Sequence, residues 1–278
     1  MDTIELNIHL SPKDPWSDIV IAQLSEQGFD SFVTTDEGIL AYAPFSVDTD
    51  TVVRDSFLGS PQGFECTIVK TVIPHQNWNA EWEKNFSPVV IEEYGTILAP
   101  FHDASEAIGI KVIIQPQMSF GTGHHQTTWM MTKALFELDN MPAKVLDMGT
   151  GTGVLAIYAE KLGAKDILAI DIEEWSAENA RENVERNGGR HIECLCGDID
   201  LLEVRNFGLI IANINKNILK QHMVDYSAAL ETNGTLLLSG FFVTDVDEMT
   251  SYCEAYKLKK TKVLTKDEWA CIQLIKIN

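Results

Sequence analysis

The sequence has no run of 18 or more apolar residues, which argues against a helix that spans a membrane. Its first ten residues, MDTIELNIHL, lack the basic region and apolar core of a signal peptide. Cysteine is sparse: only Cys194 and Cys196 of the five are closely spaced, and no second pair completes a zinc site. We therefore expect reduced thiols, no bound metal, no membrane association and a cytoplasmic location.

Basic side chains are also scarce. Lys and Arg number 21 against 41 Asp and Glu, which gives a formal net charge of −20. The first 120 residues hold 18 of the acidic groups and only five of the basic ones. Nucleic-acid phosphates would repel such a chain, so we expect no direct DNA binding and a neutral or basic partner. The alternative is that the acidic surface only keeps the protein in solution.

A length of 278 residues suggests two domains. In residues 1–75, Ile4, Leu6, Ile8 and Leu10 alternate with polar residues, as in a half-buried strand. The helix, strand and turn signals that follow give the order β-α-β-β-α-β, which predicts a small α+β domain of the ferredoxin-like type. RNA-binding modules share this order, but the strands here lack the basic and aromatic face of such modules.

Residues 76–118 are predicted to form a connector of one helix and linking strands, and residues 119–278 alternate strand and helix. The alternation predicts an α/β domain with a doubly wound, seven-stranded, mostly parallel sheet. Its last two strands, 257–264 and 269–277, are expected to form an antiparallel hairpin at the edge. Ligands of such sheets bind beyond the carboxyl ends of the strands, where the strand order reverses. The remaining predicted strands are 144–147, 166–171, 192–196, 209–213 and 235–239, and the predicted helices are 127–139, 153–162, 174–187, 216–230 and 245–256.

The segment VLDMGTGTG, residues 145–153, carries the strongest chemical signal. Gly149, Gly151 and Gly153 follow a strand directly and open a helix, where glycine lets the backbone turn and approach a ligand. The dinucleotide fingerprint fails because Val154 stands at its last glycine, and the lysine of a phosphate-binding loop is missing. Asp147 would oppose a pyrophosphate, but it can accept hydrogen bonds from an ammonium group, directly or through water.

Three further polar residues stand at predicted strand ends. Asp171 can accept both hydroxyls of a ribose, the alternative being an ordinary turn residue. Asp198 can bind an adenine amino group or cap the segment after it. Asn213 follows an apolar strand, so its amide is expected to face the ligand crevice unless it only makes a turn.

Together these motifs resemble the class I S-adenosylmethionine-dependent methyltransferases over roughly residues 115–278. The stretch FGTGHHQTT, the glycine motif, NIN at 213–215, WNAEW at 78–82 and KDEWACI at 266–272 narrow the resemblance to the ribosomal protein L11 methyltransferases. The chain departs from that family's pattern at His124, Gln126 and Asn215. These differences affect what can be expected of the loop conformations, but not the reaction that the resemblance implies.

The resemblance implies S-adenosylmethionine as cofactor, with contacts from Thr128, Gly149, Asp171 and Asn213. It implies a monomer that methylates lysine side chains and the N-terminal amine of a basic ribosomal protein, free or on the large subunit. Residues 1–75 would recognise that substrate, and 119–278 would form the catalytic domain. The rivals are a methyltransferase with another substrate, a non-catalytic ribosome-assembly factor, and a nicotinamide dehydrogenase, which Val154 disfavours. To the cofactor-binding set we add Phe120, Asp147, Gly151 and Asp198.

Asn213 is the predicted catalytic residue. The methyl donor is already activated, so the protein mainly positions the neutral amine, and Asn213 would aim the lone pair of that amine while the proton leaves to water.

In SFGTGHHQTT, residues 119–128, Phe120 to Gly123 are expected to form a flap over the cofactor, with Thr127 and Thr128 capping the next helix. His124 and His125 lack a third ligand nearby, so a metal site is not favoured. His125 is expected to be structural or to cap the cofactor, with a general-base role as the alternative.

Overall fold

The computed structural model describes residues 2–74, 78–117, 119–202 and 206–278, without the side chains of 78–81 and 106. The chain divides into two compact units, residues 1–85 and 86–278. The boundary falls inside the predicted connector, and the three-part division at 75 and 118 stays a prediction.

The first unit is a four-stranded antiparallel sheet, in the strand order β2-β3-β1-β4, with two helices between its strands and a third after them. Alternate residues of β1 are buried, as the sequence pattern requires. The predicted β-α-β-β-α-β order is confirmed. The elements are β1 (Thr3–Ser11), α1 (Trp16–Ser25), β2 (Ser31–Thr34), β3 (Gly38–Pro44), α2 (Thr49–Asp55), β4 (Glu65–Ile73) and α3 (Trp78–Asn85). By sequence, Trp78, Trp82 and Phe86 recur every four residues, which predicts an apolar stripe on one face of α3. The side chain of Trp78 lies outside the described part.

The second unit begins with a small sheet of β5 (Val89–Ile91), β6 (Gly95–Leu98) and β7 (Ile110–Ile113). β5 runs antiparallel to β6, and β6 runs parallel to β7. The sequence predicted the second and third of these strands, at 95–99 and 109–114. It did not predict β5, because three residues are too few for an alternating pattern to be recognised.

The large sheet has seven strands in the order β10-β9-β8-β11-β12-β14-β13. All run parallel except β14, which is antiparallel to both neighbours, so the predicted sheet and its terminal hairpin are confirmed. The strand order reverses between β8 and β11. The strands are β8 (Lys144–Met148), β9 (Asp166–Asp171), β10 (Ile192–Cys196), β11 (Phe207–Asn213), β12 (Leu230–Phe242), β13 (Leu258–Lys266) and β14 (Trp269–Lys276).

Helices cover both faces of this sheet. Within β8, Val145 packs into one apolar cluster and Leu146 into the other, because successive side chains of a strand point to opposite faces. Both are fully buried, which stabilises the fold by about 1.5–3 kcal/mol for each such side chain. The helices are α4 (Gln126–Phe136), α5 (Val154–Lys161), α6 (Glu174–Arg186), α7 (Lys216–Gln221), α8 (Met223–Ala229) and α9 (Val246–Glu254).

The single helix predicted over 216–230 is wrong. The structure has two helices, α7 and α8, which meet at His222. Neither proline nor glycine marks the junction in the sequence, and the side chain of His222 is occupied by a tertiary contact that a local pattern does not reveal.

Candidate functional site

The glycine-rich loop between β8 and α5 requires glycine at its ligand-facing positions. Gly149 has a φ of +73°, and a Cβ there would lie 2.1 Å from Cγ2 of Ile214. Gly151 has a φ of +55°, and its Cβ would lie 2.2 Å from the carbonyl oxygen of Phe120. Both the left-handed backbone and the close approach exclude larger residues. The loop therefore packs tightly against Phe120 on one side and Ile214 on the other.

Asp147 is a buried residue that stabilises this loop through hydrogen bonds. Its carboxylate accepts hydrogen bonds from Thr150 Oγ1 at 2.6 Å and from the Ala156 backbone N–H at 3.2 Å. Only 1% of the residue is exposed. Burial raises the pKa of this carboxyl to about 6, although the two hydrogen bonds act in the opposite direction. Asp147 thus connects the end of β8 to the start of α5.

A cavity of about 400 Å³ opens at the carboxyl ends of β8, β9, β10 and β11, beside the point where the strand order reverses. This is the position at which open α/β sheets bind ligands. Six residues of the predicted cofactor-binding set line the cavity, whereas Asp147 and Thr128 do not. The six are Phe120, Gly149, Gly151, Asp171, Asp198 and Asn213.

Asp171 is fixed at the tip of β9 by backbone donors. Oδ2 accepts from Gly151 N–H at 2.8 Å, and Oδ1 accepts from Glu173 N–H at 3.1 Å. Ile172 and Trp175, beside it in the cavity wall, are 67% and 47% exposed. A ligand with a polar diol and a flat apolar ring would meet both kinds of surface here.

Asp198 caps the short 3₁₀ turn after β10, because its Oδ1 accepts from Ile199 N–H at 2.7 Å. The sequence analysis gave capping of the following segment as one of two roles for Asp198, and the structure confirms that role. The same residue also lines the cavity, so capping does not displace it from the ligand. A contact with an adenine amino group stays a prediction.

A second cavity, of about 240 Å³, adjoins the first. The two share Phe120, Asn213 and Ile214 as common lining. The Oδ1 atom of Asn213 is buried and has no hydrogen-bond partner within the described residues. A buried amide oxygen without a partner is costly unless a ligand or water supplies a donor. Asn213 therefore stands, with an available acceptor, where the two cavities meet.

Comparison with known proteins identifies the family. A family model described as ribosomal protein L11 methyltransferase matches residues 22–276. The ribosomal protein L11 methyltransferase of Porphyromonas gingivalis is 41% identical over 259 residues, which are 92% of this chain and 89% of the relative. That of Bacteroides thetaiotaomicron is 35% identical over 277 residues, 98% of this chain and 99% of the relative. The chain belongs to the ribosomal protein L11 methyltransferase family.

A solved structure supports the fold of this L11 methyltransferase family member. The crystal structure of a ribosomal protein L11 methylase from Lactobacillus delbrueckii subsp. bulgaricus matches it with a TM-score of 0.63 and 24% sequence identity. The match covers 69% of this chain and all of the other.

His125 caps α4 in this L11 methyltransferase family member, which corrects the prediction that Thr127 and Thr128 do so. Its Nδ1 accepts from Thr127 N–H at 3.3 Å, so the helix begins one residue earlier than expected. Burial lowers the pKa of His125. Its ring lies 5.1 Å from that of Phe120 and 4.7 Å from that of Trp269, so aromatic groups line one side of the second cavity.

Thr128 lies in the first turn of α4. Its Oγ1 is buried with no partner among the residues described, and its carbonyl accepts from Thr132 Oγ1 at 2.8 Å. It lines neither of the two cavities. Its contact with the cofactor stays a prediction.

The predicted flap is attached at its first two residues to the glycine-rich loop. The Phe120 carbonyl accepts from Thr152 N–H at 2.9 Å, and the Gly121 carbonyl accepts from Thr152 Oγ1 at 2.7 Å. Nearby, His124 Nε2 lies 2.9 Å from the Ser87 carbonyl oxygen.

Among the described residues no group of three or more His, Cys, Asp or Glu side chains could hold a metal ion. Over the same residues no helix is long and apolar enough to cross a membrane.

Two asparagines support the site, Asn183 in α6 and Asn187 directly after it, and the sequence reasoning missed them. Asn183 accepts from Gln115 N–H at 2.8 Å and donates to the Thr152 carbonyl at 3.0 Å. One turn later, Asn187 accepts from Ile113 N–H at 2.9 Å. Their spacing of four residues places both on one helix face, and that spacing was the available signal. Sequence reasoning also missed several cavity residues supplied by helices, by the segments that join them and by the terminal hairpin, namely Trp175, Ile214, Ile218, His222 and Trp269.

Proposed function

We propose that this protein is an S-adenosylmethionine-dependent N-methyltransferase that modifies lysine side chains and the N-terminal amine of ribosomal protein L11. The observation that carries the proposal is the meeting of two cavities at Asn213, in a chain that belongs to the L11 methyltransferase family. One cavity suits a nucleoside cofactor, and the other suits the amine that receives the methyl group.

The first cavity fits the cofactor on its own chemistry. Asp171 would accept the two ribose hydroxyls with the lone pairs that Gly151 and Glu173 leave free. Trp175 and Ile172 would cover the base, and Gly149 and Gly151 admit close approach of the ligand to the backbone. When bound, S-adenosylmethionine supplies a methyl group already activated on a positively charged sulfur.

The second cavity would hold the acceptor amine. Asn213 Oδ1 can accept a hydrogen bond from the amine and so direct its lone pair toward the first cavity. Phe120, His125 and Trp269 would enclose the carbon chain of a lysine and exclude water from it. The aromatic faces also attract ammonium groups, which suits a substrate that carries one to three methyl groups.

Proton loss from the amine would precede attack. A free lysine has a pKa of about 10.4, and an apolar site with a nearby positive charge lowers it. His125 is a poor base for this proton: Nδ1 already accepts from Thr127 N–H, so Nε2 carries the ring proton, and burial lowers the pKa. We therefore assign proton loss to water.

The first unit would recognise L11. Residues 1–85 contain 14 acidic and four basic side chains, and a strongly acidic surface attracts a basic ribosomal protein and speeds its association. All five cysteines are free thiols, and Cys253 and Cys271 are buried, which suits a reducing cytoplasm. We propose that the enzyme works there as a monomer.

Methyl transfer to ribosomal proteins tests this function. The purified protein is incubated with labelled S-adenosylmethionine and a ribosomal protein extract from cells that lack the enzyme, and we expect the label in L11. Asp171→Asn should weaken labelling strongly, whereas Asp166→Asn, at the opposite, exposed end of β9, should label as the wild type does. Label in a different protein, or in none, would contradict the proposed function.

A further inference from the structure

His222 is the histidine of the cofactor cavity, and no step of the proposed reaction uses it. It lies at the junction of α7 and α8, and only 7% of it is exposed. Its Nε2 lies 3.3 Å from Oδ1 of Asp198, and its Nδ1 lies 3.3 Å from the hydroxyl of Tyr226. A buried imidazole with a partner on each nitrogen has a fixed ring orientation.

The two contacts suit one arrangement of protons on a neutral ring. Burial raises the pKa of Tyr226 far above its usual range, so the hydroxyl keeps its proton and can donate it to Nδ1. The proton of the neutral ring is then on Nε2, which faces Oδ1 of Asp198 at 3.3 Å. The polar contacts thus connect Tyr226 through His222 to the carboxylate in the cavity.

The carboxylate that receives this contact is oriented by it. Ile199 N–H and His222 Nε2 both approach Oδ1 of Asp198. Oδ2 is the other oxygen of the same carboxylate, and Asp198 lines the cavity. The backbone donor already restrains rotation of the carboxylate about its Cβ–Cγ bond. The imidazole adds a second restraint from the opposite side chain and joins the loop after β10 to the α7–α8 junction.

We propose that His222 is a positioning residue that sets the base specificity of the cofactor site, by holding Asp198 so that Oδ2 accepts the exocyclic amino group of adenine. The proposal rests on the proposed function, since it requires an adenine nucleoside in the first cavity. A carboxylate selects an amino group over a carbonyl oxygen, because two acceptors that face each other repel.

Calorimetric binding of two nucleosides tests the proposal. S-Adenosylhomocysteine carries the amino group, and S-inosylhomocysteine carries a carbonyl oxygen at the same position. For the wild type we expect the inosine analogue to bind about tenfold or more weakly. In His222→Leu the adenosine ligand should bind about fivefold or more weakly, and the ratio of the two Kd values should fall toward one.

Matched variants separate positioning from structural support. His222→Gln retains an N–H donor and should recover most of the wild-type ratio. Tyr226→Phe should reduce the ratio less than His222→Leu, because the contact with Asp198 remains. His191→Leu replaces an exposed histidine and should leave both Kd values unchanged. The melting temperature without ligand is measured for each variant.

The outcomes distinguish failure of the role proposed for His222 from failure of the proposed methyltransferase function. If His222→Leu weakens both ligands equally and keeps the ratio, His222 has only a structural role and the proposal is wrong. If the wild type binds both nucleosides but does not discriminate between them, the proposal is also wrong, although the methyltransferase function stands. If the wild type binds neither nucleoside, the proposed function itself fails, and the role of His222 fails with it.

Discussion

Replacing Asp147 by asparagine should change how the stability of the second unit depends on pH. The carboxyl is buried, and its pKa is raised from 3.8 to about 6. Below pH 3.8 both the folded and the unfolded chain bind the proton. As the pH rises toward 6, the unfolded chain loses its proton first, so the folded state becomes less stable relative to it. Above pH 6 a constant penalty of about 3 kcal/mol remains.

Asparagine keeps an acceptor for Thr150 and Ala156 but does not titrate. Between pH 4.5 and 7.5 the free energy of unfolding of Asp147→Asn should therefore rise by about 2 kcal/mol relative to that of the wild type. Any cost of the new amide N–H₂ group is the same at both pH values, so it cancels in this difference.

Urea unfolding followed by circular dichroism at several pH values measures the change. Asp166→Asn, the same substitution on an exposed residue, should follow the wild-type curve. Parallel curves for Asp147→Asn and the wild type would refute the reasoning, because they would mean that burial does not hinder ionisation of Asp147.

Two further predictions concern the support of the loop. Thr152→Val removes the donor to the Gly121 carbonyl and should weaken S-adenosylhomocysteine binding about three- to tenfold in calorimetry, because Phe120, which lines both cavities, loses its anchored neighbour. Thr261→Val, on an exposed hydroxyl, is its control, and equal affinities for the two variants would contradict this role. Asn183→Ala leaves Gln115 N–H and the Thr152 carbonyl unpaired and should lower the free energy of urea unfolding by about 2–4 kcal/mol. A loss below about 1 kcal/mol would show that water replaces both contacts.

Much of the site was predictable because parallel strands deliver their carboxyl ends to one edge. Four residues, Gly149, Asp171, Asp198 and Asn213, lie at or just beyond the carboxyl end of a strand that the sequence identifies, so the parallel sheet brings them together. Local chemistry added the glycine requirement, since a strand that turns directly into a helix needs left-handed backbone.

The remainder depends on contacts between distant segments. Trp269 reaches the second cavity from the terminal hairpin, 56 residues after Asn213, and no local pattern indicates that approach. His222 interrupts a helical pattern without a breaking residue. The capping prediction failed for a different reason: threonine is a common cap, but the His125 ring supplies an acceptor two positions before Thr127.

The most direct test of the central claim asks whether a change at Asn213 affects the rate of methyl transfer or the affinity for the cofactor. Single-turnover methylation of L11 and calorimetric binding of S-adenosylhomocysteine are measured for the wild type, for Asn213→Ala and for Asn217→Ala, an exposed asparagine on α7 that lines neither cavity. We predict that Asn213→Ala slows methyl transfer about 100-fold while its cofactor Kd changes less than about threefold, because this oxygen orients the amine and not the nucleoside. Asn217→Ala should match the wild type in both. Equal, small losses of rate and affinity in Asn213→Ala would contradict the account.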